Sequence, residues 1–117
     1  MRRIILQHIN HLLTSALEDE GYNVLSILSA DNILDEAERF KPHVIVLDFD
    51  EPDSSATCRT IRNRFPNTAV IALSSDHLIA GKYSECGFNG YIARPVTINR
   101  LCSMMEIFTV SNLAEAS

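Results

Sequence analysis

Apolar residues fall along the chain in two alternating rhythms. Short β-branched runs, RIILQH, NVLSIL, VIVLD, TAVIAL and finally YIA, are separated by segments with helical patterns, among them NHLLTSALEDE, NILDEAERF and a stretch ending at RNRF. Five such alternations predict an α/β fold: a five-stranded parallel sheet, doubly wound as (βα)5. VIVLD and AVIAL are nearly continuous apolar runs, the pattern of central parallel strands covered on both faces by helices. The punctuation agrees. Asn10 is a good N-cap for the first helix, Leu13 and Leu17 lie one turn apart on it, and Gly21 is its expected stop. Pro42, Pro66 and Pro95 each fall at a junction rather than inside an element.

With 117 residues the chain is one domain by length, large enough for a core that needs no staple. The expected unit is 1–110, and the small, polar SNLAEAS of 111–117 has the composition of a frayed end or the start of a linker. Cys58, Cys86 and Cys102 are odd in number, with no CxxC spacing and no paired histidines nearby, which speaks against a zinc site or a disulfide framework and fits a reducing cytosol. Ile4, Ile5 and Leu6 are too few for a signal-peptide core, and no run approaches membrane-spanning length. A net charge of -5 argues against nucleic-acid binding by this domain, with Arg59, Arg62 and Arg64 read as a solvated helix face.

Chemistry concentrates where strands end. VIVLDFDEPD stops abruptly at Asp48 and then places more carboxylates in quick succession, either a solvated turn or a site for a metal or phosphate. In an open parallel sheet the ligand site lies beyond the carboxyl ends of the strands. Gln7 and His8 after the first strand, Asp48 after the third, Ser74 and Ser75 after the fourth and Arg94 after the fifth should therefore converge. QHINH contains no glycine, so a phosphate-cradling loop after the first strand is absent and a nucleotide-binding enzyme is disfavoured. His8 and His11 lack a third ligand and read as surface or capping residues.

In this order, LLTSALEDEGYNV, LDFDEP, ALSS and CGFNGYIARP resemble the receiver domain of response regulators, the chemotaxis-regulator-like, flavodoxin-like fold of two-component signalling, over nearly the whole chain. The resemblance implies that Asp48 holds the phosphoacceptor position, Ser74 the hydroxyl that contacts the phosphoryl group and Tyr91 the switch aromatic. Arg94-Pro95 stands at the family's lysine-proline step, commonly a cis peptide. The departures are as informative. Where receivers carry an acidic pair that holds magnesium, this chain has Gln7 and His8, poor donors for a hard octahedral cation. Arg94 is a planar fork able to grip a carboxylate through two hydrogen bonds. The loop after Pro52 lacks the family's glycine, and the fourth helix, from Asp76 to Cys86, looks short and contains Gly81, which costs roughly 1 kcal/mol against alanine.

A charge count joins these changes. Asp48 and Arg94 sum to zero without a metal, so Asp48 can end a buried strand because Arg94 neutralises it; Asp50, Glu51 and Asp53 are then mostly solvated turn. The preferred reading is a pseudo-receiver, a non-enzymatic protein-interaction module independent of magnesium-assisted phosphorylation, with no cofactor and no metal. The alternative is a phosphoacceptor taking phosphate on Asp48 from a histidine kinase. The expected partner is a signalling protein, a kinase or downstream effector, or a second copy, bound through the face of the fourth helix, fifth strand and fifth helix. Met104, Ile107, His77, Leu78 and Ile79 are hard to bury all at once there, while Leu101, Met105 and Phe108 read as core.

Overall fold

A computed structural model describes residues 2–7 and 10–116, with side chains as far as Thr109. Its elements run β1 Arg3–Gln7, α1 His11–Asp19, β2 Asn23–Ile27, α2 Ile33–Phe40, β3 Val44–Asp48, α3 Ser54–Arg64, β4 Ala69–Ser74, α4 Ile79–Lys82, β5 Gly90–Ala93 and α5 Ile98–Ala116. The sheet order is β2-β1-β3-β4-β5 and every pairing is parallel, the doubly wound arrangement read from the alternation. Strand order reverses between β1 and β3, which opens a crevice at the carboxyl ends.

Side-chain alternation along each strand divides the interior into two layers. Ile4, Leu6, Val44, Val46, Ile71 and Leu73 face α1 and α5, where Leu13, Leu17, Leu101 and Met105 meet them. Ile5, Ile45, Leu47, Val70 and Ala72 pack on the other side with Ala37, Cys58 and Ile61. Both β3 and β4 are buried along their full length, as continuous apolar runs require. At 0 % exposure the Cys58 thiol is pushed up to about 11 by desolvation, the state of a packing residue rather than a reactive one.

Local signals place the elements as expected. Asn10 Oδ1 accepts from the Leu13 N–H at 3.1 Å, and Gly21 follows α1 at φ 95°, a conformation other residues adopt only with strain. Gly90 is required for another reason: a Cβ there would stand 2.9 Å from the Phe108 ring of α5. The short α4 is real, four residues held by Asp76, whose carboxylate accepts from the Leu78 N–H and pairs with Lys82 Nζ at 2.7 Å.

Two expectations change. Ile79 is buried at 2 % and Met104 half-buried against the core, so the apolar remainder of that face is Leu78 and Ile107, each 57 % exposed. The α3 arginines are exposed but not merely solvated: Arg59 and Arg62 donate to the carbonyls of Glu85 and Gly87, and Arg64 pairs with Glu38 at 3.3 Å. They tie α3 to the segment before β5 and to α2. Among the described residues no helix is long and apolar enough to cross a membrane.

Candidate functional site

The third strand delivers Asp48 to the floor of the crevice, its side chain only 8 % exposed. The β1–β3 ladder ends at the Leu6–Val46 pair, and the next donor, the Asp48 N–H, is received by Gln7 Oε1 at 2.9 Å. The glutamine side chain thus extends the sheet where backbone pairing stops. On the opposite flank the Phe49 N–H donates to the Leu73 carbonyl and the Arg94 N–H to the Ser74 carbonyl, which fixes the ends of β3, β4 and β5 to one another.

Arg94 reaches Asp48, with Nη1 3.3 Å from Oδ1, yet its shorter contact is to Asp50 Oδ2 at 2.9 Å. Asp50 is the centre of the site. Its Oδ1 accepts from the Ser74 hydroxyl at 2.7 Å and its Oδ2 from the Ser75 N–H at 2.9 Å, while its own N–H donates to Asp48 Oδ1 at 3.0 Å. Ser74 Oγ in turn receives the Asp76 N–H at 2.9 Å. Burial alone would raise the Asp50 pKa, as would the Asp48 charge; the bonds from Ser75 and Ser74 outweigh both and hold the carboxyl below its ordinary value.

This corrects the charge count. Asp50 lies on an exposed turn, yet its carboxylate is turned onto Ser74, Ser75 and Arg94, so among the described residues two carboxylates share the Arg94 guanidinium, with the hydroxyl and the backbone N–H supplying further stabilisation. The signal was present as the DFD spacing opposite paired serines, but no periodicity says which way a turn carboxylate points. Tyr83 was also missed. Its ring lies 5.1 Å from that of Tyr91, tilted by 40°, so the half-buried Tyr91 packs against the residue that closes α4. Gln7, Asp48, Ser74, Ser75 and Arg94 meet as expected; Tyr91 lies on β5 beside α4, and His8 falls outside the described residues. The Arg94-Pro95 peptide is cis.

Magnesium does not suit the donors present. A site for it needs several hard oxygens in near-octahedral array. Gln7 Oε1 is engaged by the Asp48 N–H, and both Asp50 oxygens are engaged by Ser74, Ser75 and Arg94. Among the described residues no three His, Cys, Asp or Glu side chains are grouped to hold a metal.

With fold and crevice defined, comparison with known proteins gives the family. The sequence model of the response regulator receiver domain matches residues 6–106, and the chain belongs to that family, the receiver domains of two-component signalling. No curated protein sequence matches it. Among solved structures, a CheY-like receiver domain protein of Methanospirillum hungatei is similar at TM-score 0.85 and 20% identity, covering 98% of each chain. A response regulator of Thermotoga maritima follows at TM-score 0.81 and 22% identity, over 94% of this chain and 98% of its own. NtrX of Brucella abortus, solved in complex with ADP, matches at TM-score 0.85 and 21% identity; 99% of this chain aligns with only 28% of that longer protein. At such identities the likeness is one of fold.

Proposed function

We propose that this receiver domain is a pseudo-receiver, a protein-interaction module in two-component signalling that works without magnesium-assisted phosphorylation of Asp48. The observation that carries the reading is Gln7: a neutral amide stands where receivers hold an acid, and its oxygen is engaged by the Asp48 N–H. Phosphoryl transfer to a carboxylate brings further negative charge to the acceptor, and a divalent ion bound beside it would supply several kcal/mol of electrostatic stabilisation. Arg94 offsets only part of that charge, because it already serves Asp48 and Asp50.

The test is incubation with acetyl phosphate and magnesium, read by intact mass. The expected result is a largely unmodified chain; stoichiometric modification that disappears in Asp48→Ala would replace this reading with that of a phosphoacceptor. That second reading has its own support, since Asp48 and the Ser74 hydroxyl share the crevice. The partner, a kinase, an effector or a second copy, is proposed to dock on the α4, β5 and α5 face, with Leu78 and Ile107 as its exposed apolar residues and Tyr91 at its edge. Leu78→Glu and Ile107→Glu test this better than Met104→Glu, which would disturb the core.

A further inference from the structure

Three donors of the kinds that bind oxyanions converge on one point: the buried Ser74 hydroxyl, the Ser75 backbone N–H and the Arg94 guanidinium, at 2.7, 2.9 and 2.9 Å from the two oxygens of Asp50. They come from the end of β4 and from the loop after β5, whereas the carboxylate they hold comes from the turn after β3. Ser74 and Arg94 stand where receivers meet the phosphoryl group; we propose that Asp50 is the resident ligand of these three donors, a tethered carboxylate occupying the place that a free oxyanion such as inorganic phosphate would take. The proposal deepens the pseudo-receiver reading and rests on it, for it names what fills the space an incoming phosphoryl group needs.

Two physical effects favour the resident over a visitor. A carboxylate on the adjoining turn competes as an intramolecular ligand, at an effective concentration of about millimolar or above, and has little freedom left to lose. Charge acts in the same direction: Asp48, Asp50 and Arg94 sum to −1, so a second anion meets net repulsion, whereas removal of Asp50 brings the sum to zero and leaves three donors without their acceptor. So bound, Asp50 also links the three segments that follow β3, β4 and β5 through one side chain. The crevice is held in a single arrangement by the sequence itself.

The experiment is a titration of metal-chelated protein with inorganic phosphate, following the Ser75 amide resonance and the melting temperature. Asp50→Ala should bind phosphate saturably, at least about tenfold more tightly than wild type, since charge-assisted contacts are regained, and should gain thermal stability with it. Wild type should show no saturable shift, and Asp50→Ala combined with Arg94→Ala should lose the response. Asp50→Ser, which keeps a small polar side chain, carries the same test if the alanine variant does not fold. Wild type binding as tightly as the variants, or folded Asp50→Ala and Asp50→Ser both failing to respond, overturns the proposal. Neither phosphodonor nor magnesium is present, so covalent modification of wild type in the acetyl phosphate experiment is a separate result that would remove the pseudo-receiver reading alone.

Discussion

The two flanks of the crevice meet the same problem, a carboxylate at the end of a buried strand, by different means. On the β1 flank a neutral amide, Gln7, completes the sheet and takes up the Asp48 N–H, contributing no charge. Across the crevice Ser74, Ser75 and Arg94 present a hydroxyl, an N–H and a cation, all directed to acidic oxygens. One flank presents a neutral amide already engaged by a backbone N–H, whereas the other presents three donors, all engaged by the Asp50 carboxylate. The contrast separates two properties that a receiver site combines, metal binding and oxyanion recognition, and places them on opposite flanks where each can be altered alone.

The contrast can be broken most severely at Arg94. Arg94→Ala removes the guanidinium that Asp48 and Asp50 share, and because Asp48 is buried while Arg94 is partly solvated, the expected loss is about 2–3 kcal/mol at pH 7 by urea unfolding. Arg94→Lys should recover part of it, since a single ammonium spans two carboxylates less well than a guanidinium. Gln7→Ala tests the other flank: the buried Asp48 N–H loses its acceptor, at a cost of about 1–3 kcal/mol. Gln7→Leu should do no better, because the missing element is an acceptor and not volume.

A smaller effect sharpens the comparison through pH. The Asp50 pKa is depressed below 3.8, chiefly by hydrogen bonds that outweigh its desolvation. A depressed carboxyl contributes stability that is fully present above the unfolded value and is lost as pH falls through the folded one. Wild type should therefore exceed Asp50→Asn by about 1 kcal/mol at pH 7, and the difference should shrink only below pH 3.8. A difference that persisted unchanged into strong acid would assign it to packing instead. The smallest change lies outside the crevice, at Lys41, which closes α2 in the left-handed region at φ 54°. Lys41→Gly relieves that strain against a larger unfolded-state entropy, for a net gain of about 0.5 kcal/mol with no effect on the site.

How far the sequence carried these conclusions depends on what kind of signal each needed. Strand and helix order was legible because burial on both faces of β3 and β4 imposes continuous apolar runs, and Asn10 and Gly21 mark helix ends by local chemistry alone. Convergence of Gln7, Asp48, Ser74 and Arg94 followed from topology, which places strand ends together whatever their side chains do. Asp50 and Tyr83 were not legible in the same way. Each acts through a rotamer and a turn, Asp50 bending back onto Ser74 and Tyr83 lying against Tyr91, and neither direction leaves a trace in periodicity. The same limit explains Ile79, whose burial depends on how a four-residue helix tilts onto the sheet.

The most direct test of the proposal that Asp48 works without a bound cation is a magnesium titration of the full chain followed at the amide resonances of Asp48 and Asp50. Small, linear, non-saturating shifts are expected at both amides up to millimolar magnesium, with the Gln7 and Arg94 contacts unchanged. A saturable shift centred on Asp48, abolished by Asp48→Ala, would mean that the site still holds a metal and would contradict the proposal.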